Sequence, residues 1–340
     1  RIILIGLIVL ANGARGITVR IDGETGPLAS LLLEVLDGHV DFVAVPLFFA
    51  ISGFLFLRKF DLSLADYGDM LRKPFVSVLV PYMLFNAGLA AWFYFCGSIE
   101  MIGSWNSLVS EGLVAKTFGL GALPINYPLW FLRGLLVMYL ISPIFLVFFK
   151  EAPGVGLVAL FLLWTGLSEG PYSFAGEMFA FYLGGFVARF RVPLAGVSWW
   201  QRAASWAFCL LTVTLVSWKS LGFTDEGVRQ FCFKANLVLG LAAFWRVSAF
   251  SMIRDSRLLA RMGRHSFFVL LAHEPTISVL QTRLLTIWRP VGDAQQAAFY
   301  FGSGLAVIFG LWLVAEALSR LVPRVYGFAV GARTDALRRA

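Results

Sequence analysis

The sequence predicts an all-α fold: a polytopic transmembrane bundle of about ten helices, forming a single domain over residues 1–340. Three observations predict it. Hydrophobic residues make up 59% of the chain and charged residues only 14%, whereas a soluble domain carries about 25% charge. Apolar runs recur at close to the roughly 20 residues a helix needs to cross the hydrocarbon core. Basic residues gather in the short loops between those runs, which is how membrane topology is written in a sequence. The net charge of +8 is therefore a topology signal, and nucleic acid is not an expected partner. Membrane lipids are.

In chain order, helices are expected over residues 1–18, 40–57, 75–97, 128–149, 154–168, 173–188, 200–218, 228–250, 265–287 and 297–318. The first apolar run is short for a span and opens on Arg1, so its helix is expected to begin upstream. Proline and glycine inside several runs do not exclude helices, because lipid-embedded helices tolerate both. In the second, Ser52-Gly53 lets another backbone approach closely. With the first helix starting in the cytoplasm, about 18 basic residues fall in cytoplasmic loops and 7 on the far side, a positive-inside bias. Both termini are then cytoplasmic, and the chain belongs in the inner (plasma) membrane. Residues 98–127 form the longest external segment, apolar enough to fold back onto the bundle. Cys96, Cys209 and Cys232 show no metal-ligand spacing and read as small hydrophobes. No metal motif, P-loop, Rossmann fingerprint or nucleophile elbow is present, and no permanently bound cofactor is expected.

Polar groups inside a bilayer are expensive, so each is a functional candidate. Arg1 and Asn12 are eleven residues apart. At 100° per residue they share a helix face, about 16 Å apart along the axis. One could guide a phosphate or carboxylate while the other meets a reacting group. The plainer alternative has Arg1 reaching the headgroups and Asn12 capping the helix end before Gly13. In the ninth helix, His273-Glu274-Pro275 offers an imidazole that could accept a proton. Neighbours i and i+1 do not face each other, so His273 and Glu274 are not a ready-made dyad. A buried structural histidine is the alternative. Arg133, three residues after Trp130, could grip an anionic or sugar substrate over the indole, or simply extend outwards. Glu177 and Lys234 could form a charge pair or be unrelated. Arg58, Arg72 and Lys73 form a basic loop able to hold phosphates, or ordinary topology signals. His39 and His265 sit at expected helix ends and need no role.

Several stretches in order resemble the acyltransferase 3 family, bacterial membrane enzymes that O-acylate surface polysaccharides and other exported glycans. They are residues 45–55, with Phe48-Phe49-Ala50-Ile51-Ser52-Gly53 at the centre, then Leu71-Arg72-Lys73 with Val80-Pro81-Tyr82. Residues 124–133, 179–185, 266–268 with 272–275, and 331–333 continue the match. The resemblance implies an acyl-CoA donor on the cytoplasmic side, its phosphates near Arg58, Arg72 and Lys73, and a glycan or lipid-linked saccharide acceptor beyond the membrane. Trp130, Arg133 and Glu274 become candidate acceptor-binding residues. The family's first helix carries an Arg followed eleven positions later by a His. That pair lands on Arg1, which matches, and Asn12, which departs. A carboxamide cannot accept a proton at neutral pH. Either this is an impaired relative or another group, such as His273, carries the proton.

The leading expectation is therefore transfer of a short acyl group, such as acetyl, from acyl-CoA to a glycan hydroxyl, with Arg1, Asn12 and His273 at the reacting centre. A transporter or flippase for a lipid-linked or secreted glycan would use the same aromatic and arginine residues without proton chemistry. A non-catalytic membrane scaffold is the third reading.

Overall fold

The computed structural model describes residues 2–20, 26–36, 39, 41–58, 64–99, 102–120, 123–167, 173–190, 198–218, 221–247 and 250–331. Among them are sixteen α-helices and no strand beyond one isolated bridge between Ile99 and Gly103. The helices are α1 (Ile2–Arg20), α2 (Pro27–Val35), α3 (Asp41–Leu57), α4 (Leu64–Cys96), α5 (Trp105–Ser110) and α6 (Leu113–Phe118). A single 3-10 turn, Tyr127–Leu129, leads into α7 (Trp130–Glu151), followed by α8 (Pro153–Leu167), α9 (Phe174–Arg189), α10 (Trp199–Val216) and α11 (Glu226–Val247). The chain ends with α12 (Ser251–Arg254), α13 (Arg257–Arg264), α14 (Ser266–Ile287), α15 (Asp293–Leu321) and α16 (Pro323–Ala329).

All ten expected helices are present. The largest boundary error is at α4, which starts at Leu64 instead of residue 75. Its first turns contain Asp66, Asp69, Arg72 and Lys73, so the helix outruns the apolar stretch from which it was read. Among the described residues, three helical stretches are long and apolar enough to cross a membrane by length and composition: Phe75–Cys96, Tyr127–Glu151 and Asp293–Leu321. Shorter apolar helices cover Ile2–Ala14, Phe42–Leu57 and Pro153–Gly166.

The chain falls into two compact units. One comprises Arg1–Leu33, Leu71–Leu136 and Arg261–Ala340; the other comprises Glu34–Met70 and Val137–Ala260. In the first unit α1 packs against α14 and α15. Small residues make this possible: a β-carbon on Gly13 would lie 2.8 Å from Ile277 Cδ1, and one on Gly304 would lie 2.6 Å from Leu10 Cδ2. Gln281 of α14 ties the three helices, donating to the Gly13 carbonyl at 3.1 Å and to Ser303 Oγ at 3.0 Å. The segment after α4 folds back as expected. Leu108 and Ile125 bury themselves with Leu89, Ala90, Phe93 and Ile99.

In the second unit α3 and α9 cross with their backbones in contact. A β-carbon on Gly53 would collide with the Phe181 carbonyl, and one on Gly184 with that of Ala50. This is the close approach that Ser52-Gly53 predicts. Phe149 stacks on Tyr182 at 4.3 Å, and Phe56 meets Tyr139 at 4.9 Å. Pro143 lies inside α7, so the carbonyl four residues back, that of Tyr139, has no helical N–H. Ser142 Oγ donates to it at 2.8 Å instead, and the Tyr67 hydroxyl sits between it at 3.0 Å and the Leu140 carbonyl at 2.7 Å. The Lys234 ammonium, 3% exposed, donates to the Trp164 carbonyl at 3.0 Å.

Candidate functional site

Asn12 lies in the middle of α1, eight residues before its end, so the capping alternative is corrected. Leu4, Ile5, Ile8, Val9 and Ala11 around it are buried, and the helix needs no cap there. Its carboxamide points at α14, whose His273 is 0% exposed. Asn12 Nδ2 and His273 Nε2 are 2.8 Å apart. His273 Nδ1 lies 2.7 Å from the Leu270 carbonyl. That carbonyl only accepts, so Nδ1 bears the proton, and the Nε2 lone pair accepts from the Asn12 amide. Asn12 Oδ1 in turn accepts from the Tyr127 hydroxyl at 2.7 Å. The result is one directed chain of donors running Tyr127, Asn12, His273, Leu270.

Tyr127 is held by its neighbour. Pro275, inside α14, deprives the Leu271 carbonyl of its helical donor. Asn126 Nδ2 supplies the replacement at 3.0 Å. The Asn126 backbone N–H donates to Asn86 Oδ1 at 3.0 Å, and Asn86 Nδ2 donates to the Tyr82 carbonyl at 2.8 Å. The 126–127 turn is thus fastened to α4, α14 and α1 at once, all within the first unit. Asn86, Asn126 and Asn236 are each at most 2% exposed, and in lipid such groups persist only where they are bonded.

Of the expected site residues, Asn12 and His273 come together. Arg1 lies outside the described residues, so its pairing with Asn12 rests there. Glu274 is 5% exposed, and its Oε1 accepts from Ser278 Oγ at 3.1 Å. His273 and Glu274 therefore face different partners, as adjacent helix positions must. The Arg133 guanidinium donates to the Gly119 carbonyl at the end of α6. The Tyr82 hydroxyl donates to the adjacent Phe118 carbonyl at 2.9 Å. Trp130 opens α7, half-buried. Arg58 and Arg72 are exposed, one in each unit. Lys73 lies in α4, its side chain outside the described part.

Tyr127, Asn126 and Asn86 were missed as site residues. A signal for Asn126 exists: a proline within a spanning helix demands a donor from elsewhere. His265, expected to need no role, is a second bonded histidine. Its Nδ1 lies 2.7 Å from the Tyr326 hydroxyl and its Nε2 3.0 Å from Glu316 Oε2. Burial lowers its pKa, partly offset by Glu316. Burial, and then the Glu316 charge, push the Tyr326 phenol up to about 12. The neutral ring thus donates from Nε2 to Glu316 and accepts from Tyr326.

A family model described as an acyltransferase domain matches residues 1–316. The succinoglycan biosynthesis protein ExoH of Rhizobium meliloti (strain 1021) is 24% identical over 312 residues, covering 88% of this chain and 81% of ExoH. No solved structure matches the chain. With the ordered motifs and 316 matched residues, the chain belongs to the acyltransferase 3 family.

Proposed function

We propose that this protein is an integral membrane O-acyltransferase that moves an acyl group from acyl-CoA to a hydroxyl of an exported or surface glycan. The observation that carries this reading is the buried Tyr127–Asn12–His273 chain inside an acyltransferase-family bundle. The likeness to a protein of succinoglycan biosynthesis supports a glycan acceptor.

Acyl transfer to a hydroxyl requires a base for the hydroxyl proton and a donor for the developing oxyanion. With Nδ1–H committed to Leu270, His273 has its basic lone pair at Nε2, facing Asn12. An acceptor hydroxyl that takes the place of the Asn12 amide passes its proton to Nε2. Its oxygen attacks the thioester carbonyl, the new C–O bond forms, and the C–S bond breaks. The departing CoA thiolate takes that proton from His273 Nε2, which leaves the free thiol and restores the neutral ring. The displaced Asn12 N–H remains beside the reacting carbonyl as a hydrogen-bond donor, held by Tyr127. In this reading Arg72 and Lys73 hold donor phosphates, and Trp130, Arg133 and Glu274 contact the acceptor. The enzyme sits in the inner membrane with both termini cytoplasmic, short acyl groups such as acetyl being the expected cargo.

The test is release of CoA thiol from acyl-CoA by protein in nanodiscs with a polysaccharide acceptor. His273→Gln should lower turnover by about 10²–10⁴-fold. Asn12, at the position where the family resemblance implies a histidine, favours a second reading as a glycan transporter or impaired relative. Absence of any acyl-CoA consumption, together with facilitated glycan movement, would establish that reading instead.

A further inference from the structure

The second unit holds a cavity of about 220 Å³ between α3, α9, α10 and α11. Leu47, Phe54, Val187, Trp200, Leu241 and Trp245 are among its walls. Among the described residues, no charged side chain lines it. Apolar cavities of this size stay dry and take hydrocarbon. The α10–α11 pair is antiparallel: Asn236 bonds Thr212 at 2.9 Å, and Gly240 approaches Phe208. Trp200, at the start of α10, therefore closes the cavity beside the last turn of α11.

Two guanidinium groups stand at this end. Arg58, just past α3, lies 6.0 Å from the ring centroid of Phe54, itself a wall of the cavity. The Phe54 ring meets that of Trp245 at 6.1 Å. Arg246 follows Trp245 directly, its guanidinium 5.8 Å from the Phe250 ring centroid. The Nε of Arg246 is buried and has no hydrogen-bond partner among the described residues. A desolvated guanidinium N–H is a costly group to leave unbonded, and phosphate oxygen is its best-matched acceptor. Hydrocarbon walls with guanidinium groups at one end match an anionic amphiphile. Basic pockets between membrane helices bind anionic lipid headgroups in this way.

We infer that the cavity between α3, α9, α10 and α11 is a binding site for one anionic phospholipid, its acyl chain against Phe54 and Trp245 and its phosphate on Arg246. The site uses none of Asn12, Tyr127 and His273, and its phosphate contact is Arg246; Arg58 beside it belongs to the basic loop expected to meet acyl-CoA.

The test uses the full chain in nanodiscs of mixed phosphatidylglycerol and phosphatidylcholine, followed by native mass spectrometry. Wild type should retain one phosphatidylglycerol per chain after the annular lipids are removed. Ala242→Phe, which fills the cavity from α11, should lose it. Arg246→Gln should still retain a lipid but lose about fivefold of the preference for phosphatidylglycerol. Equal retention by Ala242→Phe would overturn the site. So would an unchanged preference in Arg246→Gln, or displacement of the lipid by acyl-CoA, which would give the cavity to the donor's chain. Circular dichroism of both variants separates lost binding from lost folding. A misfolded Ala242→Phe is replaced by Ala242→Leu, for which retention equal to wild type also counts against the site.

Discussion

His265 and His273 are two turns apart at the start of and within the same helix, both buried, yet they carry their proton on opposite nitrogens. His265 meets an anionic carboxylate and a phenol, so Nε2 holds the proton. His273 meets a backbone carbonyl and a carboxamide, so Nδ1 holds it. The difference lies wholly in the neighbours. Every partner of His265 locks it into a satisfied tie between α14, α15 and α16. Among the described residues, the group on the lone pair of His273 is a neutral amide donor that a substrate hydroxyl can replace. A histidine becomes a candidate base through what faces its free nitrogen, more than through its burial.

The sharpest way to break this comparison is to exchange the two rings for amides. His273→Gln should cut CoA release by about 10²–10⁴-fold. His265→Gln should leave turnover within a fewfold and lower the melting temperature of the purified protein. Equal losses of activity would show that the two histidines do the same work.

Next in size is Asn12. Asn12→Ala leaves the Tyr127 hydroxyl and His273 Nε2 facing an empty place, which should cost about 1–3 kcal/mol of stability, read by thermal unfolding in detergent. Asn12→His places a second imidazole on His273 and should give no gain in turnover. A gain of about 10²-fold or more would move the base to residue 12 and reduce His273 to a positioning role.

A third effect concerns the turn that carries Tyr127. Asn126→Ala should destabilise the protein by about 1–3 kcal/mol, because the Leu271 carbonyl is then unsatisfied. Pro275→Ala restores the helical donor to that carbonyl, so the double variant should recover part of the loss. Strict additivity of the two changes would mean that Asn126 and Pro275 are not coupled.

The smallest expected effect is on pH. The folded pKa of His265 lies below its ordinary value, so the unfolded chain binds the proton first. Stability from this tie is full above the ordinary imidazole pKa of about 6.5 and declines as pH falls below it. Melting temperature measured from pH 8 to pH 5 should show this decline, and His265→Gln should flatten it.

The spans were legible because an apolar run of helical length has one outcome in lipid. The contact at Ser52-Gly53 was legible because only small residues allow backbones to touch. Asn12 and His273 were each legible as intramembrane polar groups, but their bond was not: 261 residues separate them, and no local pattern says which helices adjoin. Tyr127 was hidden for the same reason. A tyrosine beside an external turn looks interfacial until the neighbouring Asn126 is seen fastening that turn inward. The short helices α2, α5, α6, α12, α13 and α16 escaped because none exceeds 9 residues, too few to show a sustained apolar period.

Pro275 also bears on how the chain is assembled. The donor to the Leu271 carbonyl comes from a side chain 145 residues earlier, so α14 cannot complete its own bonding when it first enters the lipid. During synthesis it arrives after the 126–127 turn has been made, and it finishes only on meeting that turn. Tyr139 in the other unit differs, because Ser142 of the same helix donates to its carbonyl. The first unit therefore has a moment of closure that its helices cannot reach singly. A protein cut between α11 and α14 and co-expressed as two pieces would be drawn together at residue 271 by the bond that neither piece can make alone.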